Sequence, residues 1–377
     1  MTGRRLLLRT FVPVLLAALL AAGCAGGPDK PKPKPLEPLT PQEVAVPAWN
    51  QRIPAIQFPL VVSVAGGVFA VGASDGTVAA LDVATGRDVW RTNVGAALSA
   101  GVGSDGRYAA VVTQTGDLVT LEGGQVKWRK PVGTRVATAP LVAGERVFVL
   151  GIDRTVQAFD ALDGRKLWAL QRPGDPLTLA QAGVLSAFKN TLIVGQGPRL
   201  AGVDPLTGTV RWEVPIGSPR GANEVERLAD LVGPAARIGN LLCARAFQAA
   251  VGCVSGDRGT LTWTRNVGGT DAVGGDAEFV FGADASDRMT AWRTDTGEAA
   301  WSSDALLYRG LSAPAVLGGS VVWGDAEGTV HWLTRDKGVA QLRLSTDGSA
   351  VVAPPAVSGQ TVLVVTRSGG LFAFRLR

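Results

Sequence analysis

Gly76-Thr-Val-Ala-Ala-Leu-Asp-Val-Ala-Thr-Gly-Arg-Asp-Val-Trp90 is the stretch that decides the fold. A β-rich run reaches Asp82, a short turn closes at Gly86, and a second β run carries the chain to Trp90. Glycine takes the positive φ that closes such a hairpin without steric cost. The frame returns in Val156–Trp168, Leu200–Trp212 and Met289–Trp301, each with its turn glycine four residues before the tryptophan. Counted along the chain, Trp49, Trp90, Trp128, Trp168, Trp212, Trp263 and Trp301 are 41, 38, 40, 44, 51 and 38 residues apart. The glycines are Gly86, Gly124, Gly164, Gly208, Gly259 and Gly297, and the frame appears once more at Gly338 and Leu342, with leucine in the aromatic slot. A period of roughly 40 residues filled with short alternating strands predicts an array of four-stranded blades.

Two further β-rich stretches precede each hairpin, as in Pro140–Leu150 and Pro314–Trp323, and no long helical period interrupts them. The last repeat supplies only three strands before the chain stops at Arg377, while Trp49 has no turn glycine and no blade of its own. Pairing the strand around Val44–Ile53 with the C-terminal strand completes the final blade from both termini and removes an open edge. The expectation is an all-β protein, an eight-bladed β-propeller of four-stranded antiparallel blades over residues 44–377. Its tryptophans are expected to lock blade to blade rather than to stack on a cofactor. Asp82, Asp160, Asp204 and Asp295 recur in the turns and read as caps of local backbone donors.

Residues 1–23 read as a leader. Arg4, Arg5 and Arg9 precede an apolar run from Phe11, too short to span a bilayer, that ends in Leu20-Ala-Ala-Gly-Cys24. That ending resembles a bacterial lipobox, in which Cys24 takes the acyl chains that hold the protein in lipid; an ordinary secretory cleavage is the alternative. Ala25 after the cysteine, in place of aspartate, resembles an outer-membrane address. Residues 24–43 alternate proline with lysine and read as a solvated polyproline linker reaching roughly 60 Å from the membrane.

The chain carries 37 basic and 32 acidic residues; without the three leader arginines the balance is 34 to 32, too even for a nucleic-acid footprint. Its one histidine, His331, cannot build a multi-histidine metal site, and no cysteine cluster has zinc spacing. His331 reads as a structural or surface residue. No cofactor and no catalytic residue are expected. Cys243 and Cys253 flank a turn near Gln248 as candidate cross-strand neighbours, either a disulfide or two buried thiols.

Together, the lipobox, the tether and the repeats resemble the BamB family of outer-membrane β-barrel assembly lipoproteins over essentially the whole chain. More specific than the repeats is Asn223-Glu-Val-Glu-Arg-Leu-Ala-Asp230, which is similar to the family's Glu-x-x-Arg-Leu-x-Asp stretch. The resemblance implies a non-enzymatic protein held at the periplasmic face of the outer membrane. It would be a monomer within a hetero-complex, docking on the POTRA domains of BamA beside other lipoproteins. Leu177 and Leu179 match the alternating leucines through which family members contact BamA; Ala180 stands where the family has arginine. Arg227 and Asp230 fall on the family motif and are expected to meet the partner or, more readily, to brace one another. The two longest repeats place extra residues in adjacent loops, roughly Arg172–Gly183 and Gly217–Gly233, where binding residues concentrate, although insertions are also cheap in closure entropy. The turn signature equally resembles the repeat of pyrroloquinoline-quinone-dependent dehydrogenases, which keeps a periplasmic quinoprotein as the alternative, with glycan or envelope-protein recognition behind it.

Overall fold

Each repeat folds as a four-stranded antiparallel sheet because its two middle segments are apolar at successive positions and its last segment alternates. In the first, Val68–Gly72 and Thr77–Asp82 are buried almost throughout, whereas Asp88–Asn93 turns every second residue outward. A strand buried on both faces reads as a continuous apolar run; one with a solvated face alternates. The computed structural model describes residues 31–42, 44–172, 178–218 and 221–377. Blades one to seven span 63–93, 103–131, 141–170, 185–215, 231–265, 274–303 and 315–345. Blade eight takes Ala356–Ser358, Thr361–Val365 and Gly370–Leu376 from the C-terminus and Ala45–Arg52 from the N-terminus. The first strands line the centre, each touching its neighbours, and Ala356–Ser358 meets Ser63–Ala65 to close the ring.

The closing strand pairs Ala45 with Leu376 and Arg52 with Gly370, with a bulge between Pro47 and Trp49. An apolar cluster of Ile53, Phe69, Leu81, Leu363 and Leu371 fills the seam between blades eight and one, and Trp49 packs on it. The eight-bladed ring and its shared last blade are as the repeat spacing predicts.

The recurring glycine has a second task that its φ does not reveal. The tryptophan of one blade lies on the turn glycine of the next. A Cβ on Gly86 would sit 2.4 Å from Trp49, one on Gly164 2.6 Å from Trp128, and one on Gly297 2.5 Å from Trp263. The indole N–H then donates to a carbonyl three residues before that glycine. Trp49 reaches Val83, Trp128 Ala161, Trp168 Pro205, Trp263 Thr294 and Trp301 Arg335, all at 2.8–3.1 Å. Trp90 rests on Gly124 over a shorter two-glycine turn, and Trp212 on Gly259. Leu342 follows from the same rule. Blade eight draws its outermost strand from the N-terminus, so it has no such turn to receive an indole, and leucine fills the slot, buried beside Ala45 and Phe374. Asp82, Asp160 and Asp204 accept from backbone amides of their turns. Asp295 does not share their position: Arg293 stands four residues before Gly297, and Asp295 comes two later.

Cys243 and Cys253 face one another on the middle strands of blade five and are joined as a disulfide. The linker departs from the solvated reading: from Lys34 onward the chain belongs to the compact unit of the ring. Lys34 N–H donates to Leu307 O at 2.9 Å, Gln42 N–H to Gln341 O at 2.8 Å, and Leu36 packs on the core between blades six and seven. A proline-rich segment makes no internal hydrogen bonds, so its remaining amides and carbonyls are free to pair with the ring.

Gly164→Ala should cost about 2–4 kcal/mol, from left-handed strain (φ 73) plus collision with Trp128. Gly67→Ala, also at positive φ but with nothing within 4 Å, should cost only the strain, about 1–2 kcal/mol. Denaturant midpoints that fall equally for the two would remove the indole from the explanation.

Candidate functional site

The connections from each outermost strand to the next innermost strand emerge on one face, here called the upper face, together with the turns between second and third strands. The tryptophan-bearing hairpins lie on the opposite, lower face. Both long connections are therefore on the upper face: 171–184 leads from blade three to blade four, and 216–230 from blade four to blade five. Leu177 lies outside the described residues.

Asp230 joins the pieces. Its Oδ1 accepts from Arg154 Nη2 at 3.1 Å and its Oδ2 from the Leu179 N–H at 2.9 Å. Arg154 comes from the turn between the middle strands of blade three, at φ 64, and its carbonyl accepts from Gln196 Nε2 at 3.3 Å. Both charged side chains are only 16% exposed. One carboxylate thus fastens the first long loop and a blade-three turn to the end of the second long loop. Hydrogen bonds to a charged group contribute about 1.5–3 kcal/mol, more than neutral ones.

This corrects two expectations. Arg227 and Asp230 do not brace one another. Asn223 and Glu226 hold each other reciprocally, Glu226 N–H donating to Asn223 Oδ1 and Asn223 Nδ2 to Glu226 Oε1, both at 2.9 Å, while Ala222 N–H donates to Glu226 Oε2 at 2.7 Å. The Arg227 amide then donates to Asn223 O within this turn and its side chain stays exposed, while Asp230 is committed to Arg154. Nor does Leu179 face outward. With its amide held by Asp230 it turns inward and packs with Phe247 against Val232 of blade five and against Ala272 and Ala313, in the connections that enter blades six and seven. Leu179 therefore ties the described end of the first loop to residues at the inner ends of blades five to seven. Ala180, where the resemblance implies arginine, leaves Asp230 no poorer in charge, because Arg154 supplies a guanidinium from another strand pair.

The tip of the second loop presents Val225, 68% exposed and the most exposed of the large apolar side chains described. Sequence reading missed it because it sits inside a motif whose signature positions are charged. Beside the loops a cavity of about 500 Å³ opens at the channel mouth, lined by Phe58, Asp271, Asp287, Leu311, Val351 and Arg367 among others. Burial pushes the Asp287 carboxyl up, although Gly310 and Leu311 amides donate to it at 2.7 and 3.1 Å. Arg245, fully buried below, donates to the carbonyls of Val267, Gly268 and Ala283, and burial lowers its guanidinium to about 10. His331 is neither a surface residue nor part of this face's cavity. It is buried in blade seven with Nε2 2.9 Å from Asp325 Oδ2, and burial lowers its pKa. Among the described residues, no group of three or more His, Cys, Asp or Glu side chains is placed to hold a metal ion.

A family model described as outer membrane protein assembly factor BamB matches residues 74–303. Proteins of that name from Bordetella pertussis (35% identical, covering 96% of both chains) and Burkholderia pseudomallei (35% identical, covering 99% of this chain and 100% of that one) run its full length. The chain belongs to the BamB family. In solved structures, BamB from Moraxella catarrhalis superposes with a TM-score of 0.80 at 21% identity, over 88% of this chain and all of that one. A quinohemoprotein alcohol dehydrogenase from Comamonas testosteroni matches with a TM-score of 0.65 at 16% identity, over 88% of this chain and 76% of that one, a likeness of fold alone.

In this BamB-family chain, Asp230→Ala should lose about 2 kcal/mol by removing the acceptor of the Leu179 amide and one charged partner of Arg154, and should speed hydrogen exchange at that amide. Unchanged exchange at Leu179 would show that the first loop is held by something else.

Proposed function

We propose that this chain is a non-catalytic assembly factor for outer-membrane β-barrel proteins, lipid-anchored through Cys24 and docked by its upper face on the POTRA domains of BamA. Cys24 lies outside the described residues, and its role rests on the lipobox-like sequence. The observation that carries the docking reading is the joining of two adjacent long loops by Asp230, with Val225 held out on a reciprocally capped turn. The loop ends that Asp230 fastens are preorganised, so a partner does not have to order them on binding. Exposed apolar side chains on a rigid support serve as interface anchors.

The leucines divide the work in this reading. Leu179 supports the loop from inside, and Leu177 and Val225 are left to meet the partner. Arg227, exposed beside Val225, adds charge at the rim, where it steers encounter more than it holds the complex. The Arg154–Asp230 pair positions the loops rather than touching BamA.

Leu177→Asp with Val225→Asp should reduce co-purification of BamA at least about tenfold, the effect of losing roughly 1.4 kcal/mol, with the melting temperature nearly unchanged. Leu179→Asp should instead lower the melting temperature. Undiminished BamA recovery by the folded double variant would move the interface off this face. Stoichiometric uptake of pyrroloquinoline quinone and calcium, with a chromophore, would replace the assembly reading by the quinoprotein one.

A further inference from the structure

The segment before the first strand is bound to the ring along its length. Lys34 N–H donates to Leu307 O, and Lys34 Nζ lies 3.2 Å from Asp304. Leu36 enters the apolar cluster of Phe281, Leu306, Leu311 and Trp323. Arg343 Nη1 donates to Glu37 O, and Gln42 pairs with Gln341 through both backbone and side chain. The contact at Lys34 has a built support. Arg309, 5% exposed, donates Nη1 to Lys34 O at 3.3 Å. It is aimed there by Asp325, which accepts from Arg309 Nε at 2.8 Å and contacts His331 Nε2 at 2.9 Å, and by Glu327. Two carboxylates thus hold the Arg309 guanidinium in one orientation, and its Nη1 meets the Lys34 carbonyl without further ordering of the side chain.

Leu307 belongs to the connection from blade six to blade seven, so Lys34 sits on the upper face, whereas Gln42 lies at the start of the strand Ala340–Ser345, near the lower face. The segment therefore runs down blade seven before turning into the closing strand at Ala45.

We propose that residues 34–42 are a strap that fixes where the chain leaves the ring, on the upper rim of blades six and seven, and thereby makes that rim the part held nearest the membrane. The inference rests on anchoring through Cys24. Ten residue steps separate Cys24 from Lys34, which span roughly 31 Å as polyproline, against roughly 60 Å if the tether ran free to the closing strand. The strap halves the reach. It also makes the anchor emerge on the same face as the paired loops, so the lipid surface and the docking surface address the same side of the ring.

The test uses purified lipidated full-length protein on vesicles of phosphatidylethanolamine and phosphatidylglycerol with acceptor-labelled headgroups. A donor is attached at Arg288→Cys, on the upper turn of blade six, or at Leu162→Cys, on the exposed lower turn of blade three. Energy transfer should be severalfold stronger from position 288, and Leu36→Asp should collapse the difference. Amides of Lys34 and Gln42 should be protected from exchange in the parent and exposed in that variant. If Leu36→Asp does not fold, Leu36→Ala with Arg343→Ala serves in its place. Equal transfer from the two positions in vesicle-bound parent protein, or an unaltered ratio after the strap is released, overturns the strap and leaves the anchor standing. Vesicle binding that persists in Cys24→Ser overturns the anchor itself.

Discussion

An indole from one blade lying on a glycine of the next is the contact from which the rest of this structure follows. It demands a residue without Cβ at the turn and a flat ring, buried or half-buried, on the preceding outermost strand, and in five of the seven tryptophans a carbonyl takes the ring's N–H. Trp49 on Gly86 makes the point most clearly, because that contact joins blade eight to blade one, where the ring closes. The same contact accounts for the irregularities of the repeat. Trp49 has no turn glycine before it because its strand enters blade eight from outside the repeat frame. Leu342 replaces tryptophan because blade eight offers no hairpin to receive one.

Placing these clasps on the lower face leaves the upper face to vary. Lower turns are held by the ring's own packing, and a longer or bulkier turn there would unseat an indole. Upper connections carry no such constraint, and there the chain spends its extra residues, in the loops that Asp230 fastens and in the cavity at the channel mouth. Asp230 does for those loops what the tryptophans do for the blades. It fastens the end of one loop to the end of the other and to a turn of blade three, using a part-buried ion pair and one backbone amide. The strap on blade seven extends the same logic to the N-terminus.

The fold was legible because its signal is local and periodic: a glycine and a tryptophan four residues apart, repeated at blade length, carry both the hairpin and the clasp. The blade-eight closure was legible from a missing strand at one end and an orphan tryptophan at the other. The site was only partly so. Asp230 stands out within its motif, but its partner Arg154 lies 76 residues away in sequence, in a turn that reads like any other. No spacing rule links them. Alternation made Leu179 look exposed, and only the amide bond to Asp230 explains why it turns inward. The proline and lysine composition of the linker describes a chain free in water, and it could not show that a buried Arg309 was waiting for the Lys34 carbonyl.

The claim that the upper face meets the assembly machinery is tested most directly by site-specific photo-crosslinking in intact cells. A photoreactive residue is placed at position 225, on the upper face, or at position 206, equally exposed on a lower turn of blade four; Val225 and Leu206 are 68% and 61% exposed. The account predicts an adduct with BamA from position 225 and none from position 206. An adduct from position 206 alone would contradict it.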